Sequence, residues 1–391
     1  MDARALEMRL SSLVKGNSPE RRKEHVLKAK SQGKKIIGSI CPCMPEEVIY
    51  AAGMLPWRIT GTWDSDVSRA AAYLDLDSCQ YCLHSLEALL RGDLDFIDGM
   101  VGSDWDDDQR RLYDTWKRVS KPAFYETYSA SLNKSSIVVR YRAHELAELA
   151  SALERFSGHK ITDDGLRQAI KVYNQTRRLL QQFYELRKRP VPLISGPEVL
   201  GITTASRVMD KAEFNAELQD LLPYLEGRQV APRSGQPRIL VSSDHLDNPR
   251  FLEIIEGEGC QVVMDDLDTG SRYFSKLVDE YADDLYLALA WRSADRPGDA
   301  AMFGWKEQAR QTIQWAKDFR ADGVIELFDE FSAARQWRSP IVTREMAREN
   351  MPFIRISRGY EVTNIEQLRT RVGAFLEMLL EAKSVPGKSI S

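Results

Sequence analysis

The chain has 391 residues, too many for one simple core, so two or three domains are expected. Its apolar fraction of 43% and charged fraction of 29% exclude a disordered polymer. With 54 basic against 58 acidic residues the net charge is −4, which excludes a general nucleic-acid binder carrying a basic excess. No apolar run approaches the length of a membrane-spanning helix. The opening MDARALEMRLSSLVKG mixes charges of both signs and has no apolar signal core. A cytoplasmic protein is expected.

Residues 1–33 read as charged and helical, ending near Gly33. KKIIGSI (34–40) is a short apolar run suited to a buried strand. Pro45-Glu46-Glu47 then opens a helix, because proline fits a first turn and acids complement its positive end. LPWRIT (55–60), FIDGMVGS (96–103) and PAFYET (122–127) are strand-like, with helices over 85–92 and 111–119 between them. Such alternation predicts a parallel α/β sheet. Residues 142–189 carry helical apolar spacing, and 189–198 and 230–237 are Pro- and Gly-rich loops. A second α/β unit follows. Its strands are 238–244, 260–266, 322–328 and 352–357; its helices are 251–259, 309–319 and 365–383. LYLALAW (285–291) reads as a strand or a buried segment.

The expected class is therefore α/β, with two parallel-sheet domains and a helical middle. The segments are an N-terminal helical region (1–33), a first α/β domain (34–140), a helical insertion or linker (141–230), and a second α/β domain closed by a helix (231–391).

Five cysteines do not make a disulfide scaffold in a chain this long. Cys41, Cys43, Cys79 and Cys82 are clustered in sequence, as Cys-x-Cys and Cys-x-x-Cys. Thiolates are soft, charged donors, so four of them could complete a site for zinc or an iron–sulfur cluster. The competing reading is that they pack as small apolar residues, and Cys260, opening an apolar strand, is read that way. Cys41 and Cys43 fall at a strand-to-helix junction, where open α/β sheets bind ligands and where a thiol meets a helix N-terminus. Glu46 and Glu47 can serve simply as first-turn acids. SDWDDDQRR (103–111) reads as a solvated helix start, with a divalent-cation site as the alternative. In VVMDDLDTGSRYF (262–274), Arg272 beside a glycine turn suits a phosphate or carboxylate; a salt bridge is the alternative.

Several signatures are missing. No Gly-x4-Gly-Lys-Ser/Thr loop exists, GEGCQV lacks the third dinucleotide glycine, and neither Gly-x-Ser-x-Gly nor His-Glu-x-x-His occurs.

Taken in order, five segments resemble the D-component family of 2-hydroxyglutaryl-CoA dehydratases and class I benzoyl-CoA reductases. They are ICPCMPEEVIYAAGMLPWRITG, DSCQYCLHSLEALLRGDLDFIDGMV, ITDDGLRQAIKVYNQTRRLL, ILVSSDHLDNPRFLEIIEGEGCQVVMDDLDTGSRYF and QLRTRVGAFLEMLL. The first looks like the family's Cys-x-Tyr-x-Pro-Glu-Glu opening. The resemblance implies two flavodoxin-like domains. It also implies a heterodimer of paralogous subunits, each usually holding a [4Fe-4S] cluster through three cysteines. An acyl-CoA substrate and a separate ATP-hydrolysing iron–sulfur activator complete the system. ATP would then be used only on that activator, which agrees with the missing nucleotide loop.

Carried over residue by residue, the resemblance is uneven. Cys79 matches the first cluster cysteine. The second falls at about Trp105 and the third near Phe328, and neither side chain can ligate iron. Two expectations follow. Cys41, Cys43, Cys79 and Cys82 hold a relocated cluster, or the chain has lost its cluster and acts as a structural or substrate-binding partner. Glu46, Arg58 and Arg272 are the candidate substrate contacts. The CPCMPEE opening and the DDLDTGSRYF turn look more like the reductase branch, associated with anaerobic aromatic degradation, than the dehydratase branch.

Overall fold

Short apolar strands separated by ten or more helical residues cannot form tight hairpins; they pair in parallel through crossover helices. The computed structural model describes residues 3–15, 18–129, 133–233, 235–329 and 331–384. Its strands are β1 (Ile36–Ser39), β2 (Leu55–Arg58), β3 (Gly99–Ser103), β4 (Phe124–Tyr128), β5 (Arg238–Ser242), β6 (Gln261–Asp266), β7 (Gly323–Asp329) and β8 (Phe353–Arg358). They form two four-stranded sheets, ordered β2-β1-β3-β4 and β6-β5-β7-β8. Every neighbouring pair is parallel. The two halves thus share one strand order, with the first strand moved inward. Pro56 is tolerated in β2 because that strand is an edge.

The helical middle comprises Ser136–Ser157, Asp163–Glu185, Gly196–Ala205 and Lys211–Glu226. Helix Asp163–Glu185 braces both sheets. Arg177 on it bonds Glu47 of the first half, while Tyr184 bonds Asp265 at the end of β6. Just past the helix, Arg187 donates to the Val262 carbonyl at 2.7 Å. The N-terminal region makes a second brace. Arg22 bonds Thr60 after β2 and Asp247 after β5, the latter at 3.2 Å.

Three local expectations change. LYLALAW lies in a helix, Leu285–Asp295, not a strand. Asp284 caps it by accepting from the Leu287 N–H at 2.9 Å, and its apolar face packs with helix Ser136–Ser157. An apolar run of this length has no period of its own to separate helix from strand. The N-terminal region forms two helices, Ala3–Lys15 and Pro19–Ser31, the second opened by proline. Helix Gly196–Ala205 begins inside the predicted loop 189–198. There Ser195 and Glu198 form a reciprocal capping box. Among the described residues no helix is long and apolar enough to cross a membrane.

Candidate functional site between the two sheets

In a parallel sheet every strand ends on the same edge, and ligands gather there. Here the carboxyl edges of both sheets face one cleft. Pro42 follows β1, Arg58 ends β2, and Trp105 and Asp106 follow β3; His245 follows β5, Asp268 follows β6, Asp329 ends β7 and Arg358 ends β8. The cleft spans about 700 Å³, mouth included.

One wall is an Arg–Asp–His group. Arg58 Nη2 donates to Asp268 Oδ2 at 2.8 Å, and His245 Nδ1 lies 3.4 Å from the same guanidinium nitrogen. Guanidinium only donates, so a hydrogen bond here runs from Arg58 to the ring nitrogen, and the same Nδ1 lies 3.5 Å from Asp268 Oδ1. The His245 ring stacks on Tyr81 with centroids 3.9 Å apart. Burial opposes ionisation of Asp268, but Arg58 and His245 outweigh it and hold the carboxyl far below the usual range. Among the described residues, Arg58 Nε and Nη1, His245 Nε2 and Asp268 Oδ1 are buried and make no hydrogen bond. Buried polar atoms without partners are costly in a closed protein, and they mark where a ligand's own polar atoms can bond. Behind this wall Gly61 donates to the Tyr360 hydroxyl at 3.0 Å. A Cβ on Gly61 would collide with His84, so the approach requires glycine.

The other wall is acidic. Cys79 caps helix Gln80–Leu90 at the cleft. Its backbone N–H donates to Asp108 at 3.2 Å, and the Gln80 N–H donates to Asp329 at 2.7 Å. Carboxylates from both halves thus serve one helix N-terminus. Contact with Cys82 favours the Cys79 thiolate, but burial and Asp329, Asp106 and Asp108 outweigh it and push the thiol up. Burial, reinforced by Asp108, Asp299 and Asp244, pushes the Asp106 carboxyl up to about 7.

The sequence-predicted residues separate. Arg58 lines the cleft. Glu46 does not line it: buried, it pairs with Arg207 at 2.8 Å and Lys211 at 3.3 Å and accepts from Tyr273 at 2.9 Å. Arg272 is fully buried against Asp266 at 2.6 Å, the salt-bridge alternative. The acidic run is a helix start, with Asp106 accepting from the Gln109 N–H at 2.8 Å. Cys41 and Cys43 are joined as a disulfide, and Cys79 and Cys82 are free thiols at the start of helix Gln80–Leu90. Cys260 is buried, as expected of a core residue. His245, Asp244, Asp299 and Asp329 were not singled out from sequence. The rule that strand ends carry ligands could have found His245 and Asp244 in VSSDH.

These residues do not fit the three-cysteine cluster that the family resemblance implies. Among the described residues Cys79 is the one cysteine lining the cleft. Its cleft neighbours are Asp106 and Asp329, beside Trp105. Among the described residues no three His, Cys, Asp or Glu side chains are placed to hold a metal ion.

The family model described as "2-hydroxyglutaryl-CoA dehydratase, D-component" matches residues 41–379. A benzoyl-CoA reductase subunit of Thauera aromatica is 28% identical, over 88% of this chain and 91% of its own. The (R)-phenyllactyl-CoA dehydratase beta subunit of Clostridium sporogenes is 26% identical, over 92% and 96%. The beta subunit of (R)-2-hydroxyglutaryl-CoA dehydratase from Acidaminococcus fermentans is also 26% identical, over 91% and 96%. With a match across most of its length, and with parallel sheets meeting at one cleft, this chain belongs to the 2-hydroxyglutaryl-CoA dehydratase D-component family, whose members include subunits of 2-hydroxyacyl-CoA dehydratases and of benzoyl-CoA reductase.

Proposed function

We propose that this chain is a subunit of an ATP-dependent, benzoyl-CoA-reductase-type complex that acts on an acyl-CoA thioester by low-potential one-electron reduction. Its companions in this reading are a paralogous subunit and a separate ATP-hydrolysing iron–sulfur activator, all cytoplasmic. The observation that carries the reading is the cleft, where Arg58, His245 and Asp268 present buried polar atoms that make no hydrogen bond within the protein. Arg58 Nη1 and His245 Nε2 are donors suited to a thioester carbonyl oxygen, whose charge grows when the acyl group accepts an electron. Tyr81, stacked on His245, holds the imidazole plane. The strand order of each sheet supports two flavodoxin-like domains, divided near residues 34–140 and 231–391.

Dehydration of a 2-hydroxyacyl-CoA is the second reading, favoured by the phenyllactyl- and 2-hydroxyglutaryl-CoA dehydratase relatives. One experiment addresses both. The tagged chain is recovered with its native partners under anaerobic conditions. It is then assayed with benzoyl-CoA and with 2-hydroxyacyl-CoA thioesters, plus ATP and a strong reductant. Ring reduction supports the first reading and loss of water the second. A complex inert towards every thioester, and binding none, would sink both.

A further inference from the structure

We propose that this chain carries no iron–sulfur cluster and contributes a metal-free cleft to its complex. The inference rests on the proposed function only for the partner's role; the missing cluster is a property of this chain alone.

Beside the other lining carboxylates Asp244 and Asp299, Cys79, Asp106 and Asp329 line the cleft at the acidic wall. They come from the start of helix Gln80–Leu90, the segment after β3, and the end of β7. One is a thiol and two are carboxyls. A cubane iron–sulfur cluster is held by thiolates. Carboxylates are hard oxygen donors that suit other ions. Both carboxyls already have partners. Asp106 caps helix Asp107–Ser120, and Asp329 holds the Gln80 N–H. Space is taken as well. The Trp105 indole is 5% exposed, packs in the core of the first half, and has the Arg296 guanidinium 5.0 Å from its ring. Phe328 lies under the Arg355 guanidinium at 4.1 Å.

The other cysteines do not supply the missing thiolates. Cys41 and Cys43 are both buried in the core that includes Trp105. Cys82 is 1% exposed, and its core is a different one, shared with Leu83 and Leu86. Four thiolates on one cluster would require both pairs to leave these cores.

The chain, purified alone under anaerobic conditions, is incubated with iron, sulfide and reductant. A family subunit that retains three cluster cysteines is treated in parallel. Iron, acid-labile sulfide and the electron paramagnetic resonance spectrum are measured on each. The expected result is about four irons in the control and below about 0.5 in this chain. About four irons in this chain, with a cubane spectrum, overturns the proposal. Loss of that iron in Cys79→Ser and in Cys41→Ser alike would then identify the relocated four-cysteine site. These readouts need no turnover, so they stand apart from whether the complex acts on a thioester.

Discussion

Arg58 and Asp268 meet at 2.8 Å in one wall of the cleft, joining the last residue of β2 to the segment just after β6. The pair is buried on both sides, with 3% and 8% of the side chains exposed. It therefore holds the two sheets' carboxyl edges together while leaving Arg58 Nε and Nη1 free for a ligand.

Removing one partner strands the other as a buried charge. Asp268→Asn or Arg58→Met should each cost about 3–5 kcal/mol of stability, and the double replacement should cost less than their sum. Urea denaturation of the four proteins measures this. A loss within about 0.5 kcal/mol for Asp268→Asn would show that the pair does not brace the cleft.

Asp106 should make stability depend on pH. Its carboxyl is raised to about 7, chiefly by burial. Between about pH 4 and that value the folded chain holds a proton that the unfolded chain has lost. Stability therefore falls as pH rises through this window and stays lower above it. Asp106→Asn removes the titration and keeps a competent helix cap. The variant should gain about 2 kcal/mol over the parent at pH 8 and almost nothing at pH 4. Equal effects at both pH values would contradict the assignment.

Glu46 tests structure against substrate contact. Burial opposes its ionisation, but Arg207 and Lys211 outweigh this and bring its carboxyl down to about 2. Its stabilisation is full above the ordinary glutamate range and is lost as pH falls towards that value. Glu46→Gln should cost about 3 kcal/mol at pH 7. The folded remainder should keep its KM for thioester, because Glu46 is not among the residues lining the cleft. A raised KM at unchanged stability would return Glu46 to the substrate contacts.

Ala301 lines the cleft beside Asp299 and is partly exposed. Ala301→Trp fills cleft space at the edge of the core against which Ala301 packs. In the reconstituted complex, in protein that still melts cooperatively, it should lower turnover at least about 10-fold, since small displacements of bound reactants are costly. Undiminished turnover would move the working site elsewhere.

Much of the fold was legible in local patterns. The strands beginning near Ile36, Leu55, Arg238 and Gly323 lie in apolar runs flanked by helix signals, and their buried faces follow. LYLALAW was not legible, because its helical identity depends on the Asp284 cap and on packing against helix Ser136–Ser157. Arg58 was legible as a strand-end cation. Arg272 and Glu46 looked equally available, yet each is enclosed by opposite charges that the fold gathers around it.

The order of segments along the chain determined the family, the two α/β halves and the absence of cysteine at positions 105 and 328, since these depend only on residue identity and local period. Only the tertiary structure decided which side chains share the cleft. His245 meets Arg58 and Tyr81, and Asp329 meets the Gln80 N–H, because two sheets with the same strand order turn their carboxyl edges towards each other. That juxtaposition spans more than half of the sequence, and no local pattern encodes it: the pair Gln80 and Asp329, 249 residues apart, meets at 2.7 Å only once both halves have folded.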